Sequence, residues 1–180
     1  MEKKRCAWLN LNNPVYVEYH DTEWCVPVHD DLKLFECLIL ESAQAGLSWE
    51  TILMRREGYR MAFKNFDPKK VAKISPEEIE KLVVNPGIIR HRGKIVSTVA
   101  GATAFMAIQK EFGSFNEYLW GFVRDVDTKD REAVQAVSLL LSKDLKKRGF
   151  KFCGPTICYA FMQAVGMVDD HDKECFRYHS

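Results

Sequence analysis

The sequence lacks any apolar run approaching the roughly 18–20 residues that cross a bilayer, so no transmembrane helix is expected. Its opening residues, Met1-Glu2-Lys3-Lys4-Arg5-Cys6-Ala7-Trp8, hold no apolar stretch like that of a secretory signal, and a cytoplasmic location is expected. An excess of one charge is also missing. Lys and Arg number 26 against 25 Asp and Glu, leaving a net charge of +1. Global charge therefore does not advertise a nucleic-acid partner, and any DNA-binding case must rest on local clusters. There is no internal repeat and no low-complexity tract. Strict apolar–polar alternation is scarce, which argues against β-sheet.

What is there fits one domain over residues 1–180, with 47% hydrophobic and 28% charged residues. Helical periodicity runs almost throughout, and an all-α fold of about seven or eight helices is expected. Asp30 or Asp31 caps a helix reaching Ala45, with Gly46 beyond its end. Ser48 caps a second helix from Trp49 to about Glu57. Ser75-Pro76-Glu77-Glu78 is a capping box with proline at the first helical position. Arg90 to Phe112 reads as one long helix. Ser114 and Glu117 open a short one to about Val123. Thr128 to Arg148 closes at Gly149, and Pro155 starts a last helix ending near Gly166. The first ~25 and last ~12 residues read as irregular.

Glu41 shares a narrow arc with Leu34, Leu38 and Ala45, because successive helical residues turn by about 100°. A carboxylate on an inward face needs a partner or a purpose. Either it braces a neighbouring backbone segment or it contacts a ligand, and nearby Trp49 could line the same cavity. Trp8, Tyr16, Tyr19 and Trp24 crowd the segment before the helix of Glu41. They either plug a small core or form a stacking box for a flat heterocycle, the way flipped bases are held.

The six cysteines are Cys6, Cys25, Cys37, Cys153, Cys158 and Cys175. Without a secretory signal, disulfides are not expected. Cys6 and His20 near one end, with His171 and Cys175 near the other, could complete a tetrahedral Cys2His2 zinc site. His29, His91 and His179 compete as ligands, and the spacing of the first pair is loose. Two basic turns precede helices. One is Asn85-Pro86-Gly87-Ile-Ile-Arg90-His91-Arg92-Gly93-Lys94, the other Gly149-Phe-Lys151-Phe-Cys-Gly154-Pro-Thr156 after Lys146-Lys147-Arg148. Helix N-termini attract phosphate, so both turns are candidates for the DNA backbone; alternatively their cations only complement helix dipoles.

The ordered blocks Cys6-Ala-Trp8, Tyr19-His20-Asp-Thr-Glu23-Trp24, Leu40-Glu41-Ser-Ala-Gln44-Ala-Gly46-Leu-Ser48-Trp49, Gly87 to Lys94, Lys146 to Gln163 and Asp170-His171 span nearly the whole chain. Together they resemble the DNA-3-methyladenine glycosylase I family of the helix-hairpin-helix glycosylase superfamily. The resemblance implies a helix-hairpin-helix bundle whose termini are joined by a structural zinc at Cys6, His20, His171 and Cys175. It implies that Glu41 contacts the excised base, that Trp49 stacks on it, and that Trp8, Tyr16, Tyr19 and Trp24 wall the pocket. The turn from Gly149 through Lys151 and Gly154 to Thr156 matches the hairpin that grips phosphate; Gly87, Arg90, Arg92 and Lys94 are further expected DNA contacts. The implied reaction is hydrolytic release of 3-methyladenine from alkylated duplex DNA by a monomer, without a lysine nucleophile or lyase step. Asp169 and Asp170 fall where superfamily members carry a catalytic Asp, but the family implies no such role. Cys25 stands where the family usually has Gly, Cys153 where Val or Leu is usual, and the Arg124–Ala133 connection is short. The competing reading is a non-catalytic helix-hairpin-helix DNA-binding module with structural zinc. A zinc hydrolase fits poorly, since four protein ligands leave no open position on the metal.

Overall fold

The structure is a computed structural model and describes residues 3–178. The first helix, α1 (Pro14–Thr22), lies inside the segment expected to be irregular. Its start is written as Asn13-Pro14: the Asn13 side chain accepts from the amides of Val15 and Tyr16, and proline suits a first turn that needs no N–H. Next is α2 (Asp31–Gln44), capped by Asp30, with Gly46 beyond its end at φ +79°. The helix expected from Trp49 to Glu57 is instead α3 (Trp49–Leu53) and α4 (Arg56–Ala62). The break falls at Arg55, which leaves helical backbone and folds its guanidinium back onto the Thr51 carbonyl. A 3-10 turn (Lys64–Phe66), α5 (Pro68–Val71) and α6 (Pro76–Val83) follow, the last with its full capping box.

The long helix α7 (Arg92–Phe112) begins two residues later than its periodicity suggests, because the His91 ring nitrogen accepts the Lys94 amide and makes His91 the cap. Ser114 likewise caps α8 (Phe115–Trp120), which runs into a 3-10 turn at Gly121–Val123. Next, α9 (Arg131–Lys147) starts at its own cap, Asp130, rather than at Thr128. The last helix, α10, is Pro155–Ala164. No strand occurs among the described residues, and the fold is all-α.

The central helix is α2. It packs against α3, α7, α8 and α10, and α10 lies along α9. Leu34, Phe35, Leu38, Phe105, Leu141 and Phe161 are wholly buried at these contacts. Cys153 is buried as a small hydrophobe, and its carbonyl accepts the Ser142 hydroxyl.

Lys94 corrects an expectation. Its place in a basic turn predicts a phosphate contact, but it is buried and its ammonium donates to the carbonyls of Ala43 and Ala45 at 2.8 and 2.7 Å. It therefore closes the C-terminal end of α2, where carbonyls lack intrahelical donors. Lys94→Met should lower unfolding stability by about 2 kcal/mol, the usual cost of orphaned buried acceptors. The slope of DNA affinity against salt should stay unchanged, which equilibrium unfolding and a salt titration together check.

Candidate active site

Four helices converge on one cavity. The α1 helix supplies Tyr16 and Tyr19, α2 supplies Glu41 and Gln44, and Trp49 opens α3. The loops before and after α1 add Trp8 and Trp24, and α10 closes the far side with Ala160 and Gln163. The cavity measures about 250 Å³. Every aromatic singled out in the sequence lines it, and so does Glu41. Gln44, Ala160 and Gln163 are additions, because nothing local marks a small or amide residue as facing a cavity formed by distant helices.

The aromatic rings brace one another. Trp8 meets Trp24 edge-on with centroids 4.8 Å apart, and it lies 5.5 Å from Tyr16. Tyr19 lies 5.3 Å from Trp49. Trp8 and Tyr16 remain open to solvent, while Tyr19 and Trp24 are buried. The result is an aromatic wall around the cavity, exposed at Trp8 and buried at Tyr19 and Trp24.

Glu41 is 3% exposed, and its Oε2 has no hydrogen-bond partner among the described residues. Burial pushes its carboxyl up to about 8. The Trp49 indole N–H is likewise buried without a partner. Buried polar atoms are normally paired, so an orphan acceptor and an orphan donor in the same cavity mark a site shaped for a ligand that pairs them. Sequence alone leaves bracing and ligand contact open for Glu41; the lack of any backbone donor to Oε2 favours the ligand. Asp170, by contrast, is committed: its Oδ2 accepts from the Tyr159 hydroxyl at 2.6 Å and from Gln163 Nε2 at 2.8 Å.

Behind the aromatic wall, Cys6, His20 and Cys175 bring their ligand atoms within 4.8 Å of one another, all buried. The His20 Nε2 to Cys175 Sγ distance is 3.6 Å. The backbone amides of Asp172 and Arg177 donate to the two sulfurs at 3.3 and 3.4 Å. His20 Nδ1 is held by Asp21 at 2.9 Å, leaving Nε2 toward the sulfurs. His171 stands just outside this trio, its ring 5.1 Å from that of His20. Its Nδ1 contacts Asp169 at 2.7 Å and its Nε2 is buried without a partner, while Cys25, Asp169 and His171 form a second close group. The competing histidines are used elsewhere: His91 caps α7, and His29 contacts Asn116. His179 lies outside the described residues.

The two basic turns share one face. Phe152 of the second turn meets the His91 ring of the first with centroids 5.8 Å apart, and it packs over Gly93. Arg90, Arg92, Lys151 and Thr156 lie at or near the surface there, and Gly149 and Gly154 have open space where a Cβ would stand. Gly149 has φ +105°. Arg92 meets Glu80 at 2.6 Å on the surface, while Arg148 is held by Glu111 and Asp144. A groove of about 510 Å³ between α9 and α10 is lined by Thr156, Ala160 and Gln163, the last two of which also line the aromatic cavity.

Gly87 depends on a residue that no local pattern singles out. A Cβ at Gly58 on α4 would collide with the Gly87 carbonyl oxygen. Only glycine lets α4 cross this turn so closely. Gly58→Ala should displace the 85–89 turn and lower the unfolding stability, as equilibrium unfolding would show.

Residues 8–178 match the family model for methyladenine glycosylase. The chain is 46% identical to DNA-3-methyladenine glycosylase 1 of Escherichia coli (strain K12), covering 97% of each protein. It is 47% identical to DNA-3-methyladenine glycosylase of Haemophilus influenzae, over 95% of this chain and 96% of that protein. Its structure superposes on 3-methyladenine DNA glycosylase I of Staphylococcus aureus with a TM-score of 0.88 at 39% identity, covering 98% of both chains. The family-model match spans the residues that line the aromatic cavity and both basic turns, so this chain belongs to the methyladenine glycosylase family.

Proposed function

We propose that this chain is a monofunctional DNA glycosylase of base excision repair that hydrolytically releases 3-methyladenine from alkylated duplex DNA. One observation carries the reading: an unpartnered, buried carboxyl at Glu41 within a 250 Å³ aromatic cavity. In DNA, a base methylated at N3 is cationic, and its glycosidic bond is already weakened. When the C1′–N9 bond breaks, its electron pair goes to the purine and neutralises that charge. Water adds to C1′ and loses a proton, so neither a covalent intermediate nor a lysine is required.

The protein's task is then recognition and exclusion. Trp49 stacks on the flipped base, while Trp8, Tyr16, Tyr19 and Trp24 frame it. Glu41, in its ionised form, accepts a hydrogen bond from the base edge and favours a cationic base over neutral adenine. Gly87, Arg90 and Arg92 in one turn, with Gly149, Lys151, Gly154 and Thr156 in the other, hold phosphates beside the cavity. The α9–turn–α10 unit acts as the helix-hairpin-helix. Such contacts carry no sequence information, which suits an enzyme that must act at any position.

The described residues also fit a structural zinc. Two thiols receive backbone amides, and two imidazoles have Nδ1 held by Asp21 and Asp169, the second-shell arrangement that turns Nε2 to a metal. We infer that Cys6, His20, His171 and Cys175 hold the ion, and that it ties the N- and C-terminal segments of one domain, residues 1–180, beside the aromatic wall. Four protein ligands close the ion, so it takes no part in the chemistry. No helix is long and apolar enough to cross a membrane among the described residues, and we assign no partner besides DNA and its alkylated bases, the protein acting as a monomer in the cytoplasm.

The test is release of free base from methylated duplex DNA. Wild-type protein should liberate 3-methyladenine far above the buffer rate. Duplex binding with a salt dependence but no release, and no quenching of Trp fluorescence by free 3-methyladenine, would instead support a non-catalytic DNA-binding module.

A further inference from the structure

Gln163 lines the cavity opposite the α1 aromatics and belongs to no motif with an assigned role. Its carboxamide cannot turn freely. Nε2 donates to Asp170 Oδ2 at 2.8 Å, and a carboxylate only accepts, so the nitrogen end must face Asp170. The Tyr159 hydroxyl donates to the same oxygen at 2.6 Å. Burial, and after it the Asp170 carboxylate, push Tyr159 up to about 12, so this hydroxyl keeps its proton. The backbone is fixed as well, since the Gln163 carbonyl accepts the Cys25 amide at 3.0 Å. With one N–H of Nε2 tied to Asp170, the amide is held with Oε1, its acceptor, turned away from that carboxylate.

We propose that Asp170 is a positioning residue that pins the Gln163 amide with its oxygen available to the cavity, and that this acceptor selects bases carrying an exocyclic amine over bases carrying a carbonyl. The proposal rests on the glycosylase reading. 3-Methyladenine offers N–H donors at its C6 amine. 3-Methylguanine presents a carbonyl oxygen there, which would oppose the Gln163 oxygen acceptor to acceptor. A site built around a hydrogen bond rejects a partner that cannot make it far more strongly than an apolar wall does. The commitment of Asp170 to two donors also explains its position in this pocket without a catalytic role.

The experiment measures excision of 3-methyladenine and 3-methylguanine from the same methylated duplex by wild type, Gln163→Leu, Asp170→Asn and Asp170→Glu. Zinc content is measured alongside. The carboxamide introduced by Asp170→Asn can offer its own NH2 to Gln163, which frees the Gln163 amide to invert. Both Gln163→Leu and Asp170→Asn should lower the 3-methyladenine to 3-methylguanine ratio of kcat/KM at least tenfold while zinc stays near wild type. Asp170→Glu should restore part of the ratio. A folded, zinc-replete Gln163→Leu variant whose ratio stays within twofold of wild type overturns the proposal. So does a loss of both activities in equal proportion, which would mark a purely structural role. If Asp170→Asn fails to fold, the Gln163→Leu ratio decides. Wild-type protein that releases neither base defeats the glycosylase reading itself, and this proposal with it.

Discussion

Glu41→Gln is expected to lose most base release while folding more stably than wild type at neutral pH. The two effects share one cause. Burial raises the Glu41 carboxyl to about 8, against an ordinary value of 4.5. Between those values the unfolded chain ionises this group while the folded chain holds its proton. Unfolding therefore releases a proton in this window, and stability falls as pH rises from about 4.5 to about 8, at up to about 1.4 kcal/mol per pH unit. Below the window the contribution is complete; above it the loss is complete. Glutamine does not titrate, so the variant should flatten this slope and gain roughly 3 kcal/mol over wild type at pH 7. The same substitution removes the anion that meets a cationic base, and excision should fall on the order of 10²–10³-fold, the scale of losing one preorganised electrostatic contact. Duplex DNA carrying the cationic base should bind wild type more tightly as pH rises toward 8, with proton release, and the variant without that dependence. Unfolding midpoints over pH 5–8 and single-turnover excision check both halves. A variant no more stable than wild type at pH 7, or one of unchanged activity, would refute the role given to Glu41.

Protein purified without chelators is expected to carry about one zinc per chain, and removing it should destabilise both termini together. The reason is geometric. Cys6 and His20 come from the N-terminal segment and Cys175 from the C-terminal one, within 4.8 Å of one another. Without an ion, the buried thiols and His20 hold only weak hydrogen bonds such as Cys175 Sγ to His20 Nε2 at 3.6 Å, and His171 Nε2 has no partner; a bound ion would give all four a common centre. Cys6→Ser and His171→Ala should each lose the metal and lower the unfolding midpoint by about ten degrees or more, roughly the effect of several kcal/mol in a domain this size. Trp8 and Trp24 pack against His20 and His171, so their fluorescence should change with metal removal. A retained metal in His171→Ala, with loss in Cys25→Ser, would move the fourth ligand to the neighbouring group of Cys25, Asp169 and His171. No zinc in wild type would remove the staple altogether.

Much of the fold was written locally. The caps Asp30, Ser48, Ser75 and Ser114 all accept from helix amides, because a cap depends on three or four consecutive residues and on nothing distant. The unexpected helix α1 is also locally encoded, in Asn13-Pro14, but its aromatic content masks the 3.6-residue period. The inward direction of Glu41 follows from its arc with Leu34 and Leu38, since a regular helix fixes which residues share a face.

The rest needed the third dimension. Lys94 reads as one of several cations in a basic turn, and only the crossing of α7 over the end of α2 turns it into a cap for Ala43 and Ala45. Gly58 is one residue in an ordinary helix until Gly87, far along the chain, passes close enough to forbid a Cβ. Gln163 carries no signal in its own segment, because its orientation is set by Asp170 beyond the helix end and its place by α1 and α2 far upstream. The sequence by itself determined the helices, the buried carboxylate and the residue types able to stack a base and bind a metal. The tertiary structure alone decided which of them meet. Backbone propensity and periodicity act over a few residues, whereas a cavity or a ligand set is a coincidence of side chains from elements distant in the chain.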